Sequence, residues 1–351
     1  MLDLHDQPAA DHFPPAHDPG PDPRWPLGLA LCGGCGLVQL THTSPAPEEP
    51  RAVESATVRA HADRLAGRLV ERLGLPPGAR VRELTSAHGG SWLPALGAHG
   101  LCATGGDVAD VVLDNHAIIH AERTADAFAE RVAALSPRGR LVVEFHHAAR
   151  LLVDSQVDTV RHGHPVYLTL AAWSHLCEEH GLAVLDAWPE PVYGGCLVVV
   201  AGHAAAGVRA HPRVERALAE EERAGVRDPE HWHRLGVRSH ERAAQLHAQL
   251  ASSRAAGRSV LGYGAGSKAP GLLNLAGVDR DLLPATADLA PAKHGRRVPG
   301  TDVPIISPDE LVARRPEEVL ILLWDLADEV EQQLRAAGLR ARFRSAAVPG
   351  A

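Results

Sequence analysis

From Val53 to Leu73 apolar side chains return every third or fourth position, and Gly74 with Pro76-Pro77-Gly78 stops the pattern. That period predicts an amphipathic helix with a glycine terminator. Downstream the period shortens and lengthens in turn. Compact apolar runs at 80–84, 110–115 and 140–145 predict strands, and the first is followed by a glycine-containing turn. Helical patterns lie between and beyond them at 124–135, closed by Ser136-Pro137-Arg138-Gly139, and at 170–181, closed by Gly181. Two more strands are predicted at 182–190 and 194–202. Such alternation predicts an open α/β sheet with helices on its faces.

A long helical stretch, 211–257, is broken near the RDPEH segment at 227–231. The alternation then resumes, from SVLGYGA at 259–265 to ARFRSAAVP at 341–349. The expected fold class is therefore α/β, with two Rossmann-like domains. Residues 1–50 are rich in proline, histidine and aspartate around one apolar segment, WPLGLALCGGCGLVQL, and predict loops and short strands. With the second boundary near 205–215, the expected units are 1–52, 53–205 and 206–351.

Composition narrows the class. Of 351 residues, 45% are hydrophobic and 22% charged, as in soluble globular proteins. A formal net charge of −8 argues against a nucleic-acid-binding face. No apolar run is long enough for a membrane span, and the acidic N-terminus lacks a basic-plus-apolar signal peptide. Five irregularly spaced cysteines do not make a disulfide framework, so a cytoplasmic protein is expected. With 22 histidines in the chain, a lone histidine says little.

Three segments carry candidate chemistry. GYGAGSK (262–268) follows a predicted strand and opens a predicted helix, the setting of a phosphate-binding turn. Its spacing is neither Walker nor GxGxxG, and a strand–glycine–helix connection is often only a tight turn. Lys268 at the positive end of a helix dipole calls for a compensating negative group. Cys32 and Cys35 form CGGC, half of a tetrahedral zinc site. Cys102, Cys177 and Cys196 are far away in sequence, leaving His5, His12 and His17 as the remaining donors; the alternative is a knuckle turn without metal. RHGHPVY (161–167) places His162 and His164 two apart, on one side of an extended segment. One of them acting as a general base is the functional reading, and a surface pair is the bland one.

The segments GYGAGSKAPGLLN, ATADLAPAKHGRRVPGTDVPI and VLILLWDLADE resemble the C-terminal domain of the sugar C-methyltransferases of antibiotic deoxysugar pathways. There the corresponding text reads like GYGAxxKGNTLLN, VDxxPxKxGxxxPGTxIPV and VLILPWNLxDE. PLGLALCGGCGLVQL resembles that family's zinc module, and VVEFHH…VDTVRHGHPVYLTL its stretch EFPH…FDTIYHEHFSYFSL. The resemblance implies a zinc module, a central domain binding S-adenosylmethionine (SAM) and a C-terminal domain contacting a thymidine-diphosphate (TDP)-linked ketosugar. It implies His164 as the base that removes a proton beside the ketone, with His162, Arg161 and Tyr193 around it. Glu83, Ser86 and Gly89 fall on the SAM turn. Tyr263, Gly264, Ala265, Lys268, Asn274, Asp288, Lys293 and Arg296 fall on the nucleotide-sugar side.

The departures from that pattern matter as much. Only Cys32 and Cys35 remain of four zinc ligands, so zinc is expected to be substoichiometric. The SAM turn, normally SNDGYLL after an acidic residue, reads ELTSAHGGSWL, with Ala87 and His88 replacing Asn and Asp. The next strand, its ribose-binding acid (as in GIEPA) and the following helix are expected to be missing. The HGGS turn has become Tyr193-Gly194-Gly195-Cys196, and the Tyr and Glu of YHEH have become Arg161 and Gly163. The expectation is thus a SAM-independent enzyme without a cofactor, which enolises a TDP-ketosugar and reprotonates it as an epimerase or isomerase. A SAM-dependent C-methyltransferase with a reduced pocket is the alternative, and a non-catalytic partner of another sugar-modifying enzyme the third. No nucleic acid or membrane partner is expected.

Overall fold

The computed structural model describes residues 1–18, 20–45, 53–86, 90–106 and 108–346. The chain opens with three strands: β1 (Leu2–Pro8), β2 (Arg24–Leu31) and β3 (Val38–Leu40). Next come α1 (Ala56–Leu73), β4 (Arg80–Thr85), α2 (Leu93–Ala98), β5 (Cys102–Ala103), β6 (Ala109–Asn115) and α3 (Thr124–Ala133). They are followed by β7 (Leu135–His146), α4 (Ala148–Val153), β8 (Val166–Tyr167), α5 (Leu170–Glu179), β9 (Leu182–Glu190) and β10 (Cys196–His203). Two helices, α6 (Arg213–Ala224) and α7 (Pro229–Ala255), lead into β11 (Val260–Tyr263), α8 (Lys268–Leu275), β12 (Thr286–Ala287) and β13 (Ile305–Ile306). The chain closes with α9 (Pro308–Arg314), β14 (Glu318–Ile321), α10 (Ala327–Ala336) and β15 (Arg342–Ser345).

The expected α/β class with two Rossmann-like sheets is what the strands form. The central sheet has the order β5-β4-β6-β7-β10-β9, with β5, β4, β6 and β7 parallel and β10 antiparallel to both neighbours. The C-terminal sheet, β13-β12-β11-β14-β15, is parallel throughout. Both central faces are covered. Leu65 and Leu69 of α1 pack with Trp92 and Leu96 on one side, and Phe128 of α3 packs with Trp173 and Cys177 of α5 on the other. This is why β6 and β7 read as nearly continuous apolar runs. The N-terminal strands do not stand apart. They form a sheet of order β1-β2-β3-β8, which takes Val166 and Tyr167 from the middle of the chain.

Local chemistry accounts for the ends. The Ser55 hydroxyl accepts from the Val58 amide to start α1, and Gly74 ends it in the left-handed region. The break read at RDPEH is the gap between α6 and α7, where Gly225 terminates one helix and the Asp228 carboxylate caps the next. One expectation needs correction. The strand read as missing after the SAM turn survives as β5, two exposed residues paired to the edge of β4. No helix of the described residues is long and apolar enough to cross a membrane.

Candidate active site

In each Rossmann-like sheet the chain leaves its first strand toward one edge and later returns to the other side of it. The reversal falls between β4 and β6 in the central sheet, and between β11 and β14 in the C-terminal one. Open α/β sheets bind ligands outside the carboxyl ends of the strands at such a switch point. Here the two switch points face each other across one cavity of about 250 Å³. Ser86, Gly90, Asn115 and His116 line it from the central side, and Tyr263, Gly266, Ser267, Lys268 and Asp325 from the C-terminal side. Glu329 of α10 accepts from the amides of Ala56 and Thr57, docking its helix on the positive start of α1 beside the cavity. A larger cavity of about 490 Å³, lined by Asp154, Arg242 and Arg344, lies elsewhere. The smaller one is the candidate site, because four histidines line it: His116, His120, His146 and His164.

Residues 161–164 are not extended. The His164 amide donates to the Arg161 carbonyl at 3.1 Å, closing a turn that sends the two histidines apart. His164, buried, accepts at Nε2 from Arg161 Nη2 at 2.8 Å and lines the cavity. His162 leaves it: its Nε2 meets the Pro26 carbonyl at 3.2 Å and its ring lies edge-on to Trp25. The expectation of a pair on one side is therefore corrected by a β-turn. Arg161 is also ion-paired with Asp11, whose other oxygen accepts from Ser267 Oγ at 2.7 Å. Asp11, missed in the sequence, thus ties the N-terminal module to the histidine segment and to the C-terminal glycine turn.

Tyr193 lines the cavity in a left-handed conformation (φ 55°), its ring against His116 and His146, and burial pushes its hydroxyl far up. Burial, reinforced by the charges of His116, Lys268, Arg161 and His120, holds His146 well below the ordinary histidine range. That histidine stays neutral at physiological pH.

The GYGAGS turn is braced from within. Gly264 (φ 104°) packs so close to Leu323 that any Cβ would overlap it. The Ala265 amide donates to Asp288 at 2.7 Å, and Lys293 Nζ donates to the Ala265 carbonyl at 2.8 Å. Lys268 finds its negative partner inside the chain: Asp325 at 3.3 Å, with the Tyr193 carbonyl at 3.1 Å and the Trp324 ring below. Tyr263 is buried at the cavity wall, its hydroxyl pushed up to about 12 by burial and by the charges of Asp288 and Glu329.

Three residues read as ligand contacts are engaged elsewhere. Asn274 accepts from Arg24 and donates to the carbonyls of Pro270 and Pro299, joining the N-terminal sheet to α8. Arg296 donates to the Phe13 carbonyl and holds the N-terminal segment. Glu83, at the end of β4, accepts from Ser91 Oγ at 2.5 Å and from the Trp92 amide at 2.7 Å, and so secures the start of α2. Burial, which outweighs both hydrogen bonds, raises its pKa. Ser86 does line the cavity, and Gly89, with Ala87 and His88, lies outside the described residues. Cys32 and Cys35 sit in a knuckle closed by the Gly36 amide on the Cys32 carbonyl. Among the described residues no third His, Cys, Asp or Glu donor completes a shell with them, so the pair alone does not fit a closed zinc site.

Residues 191–343 match the family described as C-methyltransferase C-terminal domain, and residues 1–49 the one described as "Putative zinc binding domain". Across 355 aligned residues the chain is 28% identical to the C-methyltransferase NovU of Streptomyces niveus, covering 89% of this chain and 84% of that protein. The chain thus carries a C-methyltransferase C-terminal domain and is a homologue of NovU over most of its length. Between the two matches lie residues 50–190, which hold every strand of the central sheet except β10. Among solved structures it is similar to the 1,6-didemethyltoxoflavin-N1-methyltransferase of Burkholderia thailandensis, which carries bound S-adenosylhomocysteine (16% identity, TM-score 0.30, 49% of this chain and 97% of that one). It is also similar to the magnesium protoporphyrin IX methyltransferase of Synechocystis, with bound SAH (14% identity, TM-score 0.30, 41% and 83%). Scores this low carry no weight, and the fold rests on the strand order above. None of these relatives supports the expectation that the chain works without a cofactor.

Proposed function

We propose that the protein is a C-methyltransferase acting on a nucleotide-linked ketosugar of antibiotic biosynthesis, with SAM as methyl donor. This reverses the order expected from the sequence, where SAM-independent enolisation came first, because the similarity to the C-methyltransferase NovU extends over 89% of the chain. The observation that supports it is the single cavity shared by both switch points. A ligand seated on the C-terminal turn presents its reactive end to Arg161 and His164 and, beyond them, to the central turn.

The Arg161 guanidinium, which can only donate, meets the lone pair of His164 Nε2. A ketone oxygen entering the cavity takes over the guanidinium hydrogen bond, and the released Nε2 faces the adjacent C–H. That bond breaks, the proton goes to Nε2, and its electron pair moves into the new C=C as the carbonyl electrons shift to oxygen. Arg161, fixed from behind by Asp11, holds the oxyanion. SAM, held at Ser86, Gly90 and Asn115, would supply an electrophilic methyl group to the enolate carbon.

One observation favours the second reading, enolisation without methyl transfer. Glu83 is engaged at α2, and β5 ends without a carboxylate among the described residues, so no ribose-binding acid is in place. Incubating a TDP-ketosugar in heavy water, with and without SAM, decides between them by mass spectrometry and proton NMR. A methylated product only with SAM is expected. Deuterium exchange with no methylation at saturating SAM would replace methyl transfer with the second reading.

A further inference from the structure

We propose that His116, His146 and Cys196 form a binding site for one zinc-class divalent cation at the floor of the cavity. The histidine Nε2 of residue 116 lies 3.3 Å from Cys196 Sγ, and His146 Nδ1 lies 4.0 Å from the same sulfur. All three donor atoms fall within 4.8 Å of one another, the one such group of three among the described residues. Tetrahedral zinc, with Zn–N about 2.0 Å and Zn–S about 2.3 Å, sets nitrogen–sulfur separations of about 3.5 Å, which the two observed distances bracket. Two imidazoles and a thiolate suit zinc, and three protein ligands leave a fourth position for water or a substrate oxygen.

Three features show a built arrangement. His146 and Cys196 are directly paired residues of the antiparallel β7–β10 ladder, so the sheet itself sets their separation. His116 adopts a left-handed backbone (φ 60°), unusual for a residue with a side chain, and this turns its ring toward the sulfur. Its Nδ1 meets Asn115 Oδ1 at 2.8 Å, with Glu144 3.8 Å away, which fixes the tautomer that offers Nε2 to a metal. In the family text quoted above, the positions of His146 and Cys196 carry Pro and Ser. Both donors are thus departures of this chain from that text. The site is separate from the Cys32–Cys35 knuckle and independent of which reaction the cavity performs.

The test uses full-length protein carrying Cys32→Ser and Cys35→Ser, so that the knuckle cannot contribute thiolates. It is stripped with a chelator and titrated with Co²⁺ alone, and separately with Zn²⁺. One equivalent of tightly held Co²⁺ is expected, with a thiolate-to-cobalt charge-transfer band and the intense visible bands of a tetrahedral ion. X-ray absorption of the zinc form is expected to give one sulfur and two nitrogen neighbours. Cys196→Ser should abolish the charge-transfer band, and Asn115→Ala should weaken affinity about 10–100-fold, with circular dichroism confirming the fold of each. Binding of no metal, or a spectrum with no sulfur ligand, overturns the proposal without the need for any variant. So does a charge-transfer band that survives in a folded Cys196→Ser protein.

Discussion

The two switch points are built from the same parts and finished differently. In the C-terminal sheet, Asp288 at the end of β12 reaches across to the β11 turn, and Lys293 grips that turn from its other side. The glycine turn is thus rigid before any ligand arrives. In the central sheet, Glu83 at the end of β4 turns to the start of α2 instead, and the edge beyond it shrinks to the two residues of β5. One carboxylate braces a binding turn, and the other secures a helix. A preorganised turn can give its full interaction energy to a ligand, and a reduced edge gives less.

The largest effect that tests this division is at the base between the two halves. His164→Asn is expected to lower deuterium exchange into a bound ketosugar by about 10²–10⁴-fold while leaving TDP affinity unchanged. His162→Asn, which faces Pro26, should change neither. Equal exchange rates in wild type and His164→Asn would move the base to another histidine of the cluster.

Next comes a stability contrast. Arg131 and Asp114 form a buried ion pair beneath β6, where burial raises the aspartate's pKa despite the guanidinium. Arg131→Met leaves that carboxylate unpaired and should cost about 3–5 kcal/mol in chemical denaturation. Lys293→Met should cost less, about 1–3 kcal/mol, because its ammonium stands 3.6 Å from Asp288, whereas Arg131 donates directly to Asp114. A larger loss from Lys293→Met would mean that the C-terminal brace carries the domain's stability and not only its turn.

A smaller effect is expected at Lys268. Its ammonium already faces Asp325, so Lys268→Ala should lower TDP affinity less than tenfold by calorimetry, below what a charge-assisted bond to an open lysine contributes (about 1.5–3 kcal/mol). Unchanged affinity would remove Lys268 from the site.

The smallest effect concerns pH. Burial of Asp22 works against its charge, but the hydrogen bonds from Arg297 and the Gly300 amide and the Arg297 charge lower its pKa. The stabilisation from this group is therefore complete above the unfolded aspartate value of about 3.9 and is lost as pH falls through the lower folded value. Asp22→Asn should be less stable than wild type at neutral pH, with the gap closing below about pH 4. A gap that persists in acid would assign the loss to geometry and not to charge.

The sheets were legible in the sequence because each core strand and helix repeats its own period: α1, β6, α5 and β9 fall within a few residues of their apolar patterns. Elements of fewer than two repeats gave too weak a signal, hence the silence on α2 and β8 and the reading of β5 as missing. The turn at 161–164 also hid, since a two-residue spacing says nothing about side-chain direction unless the backbone is extended. Asp11, His116, His146 and Cys196 could not be assembled from spacing at all. They come from four segments, and only the β7–β10 register and the switch points bring the last three together. The one cue to that set was the change of text at EFHH and YGGC.

Asp11 has a consequence for how the chain comes into being. Its two partners, Arg161 and Ser267, follow it in the chain by 150 and 256 residues, so each contact waits for synthesis of the later segment. The brace on the second oxygen of Asp11 is completed only once the C-terminal glycine turn has been made and folded. A chain that stops short of Ser267 therefore leaves the Asp11 carboxylate held on one side only.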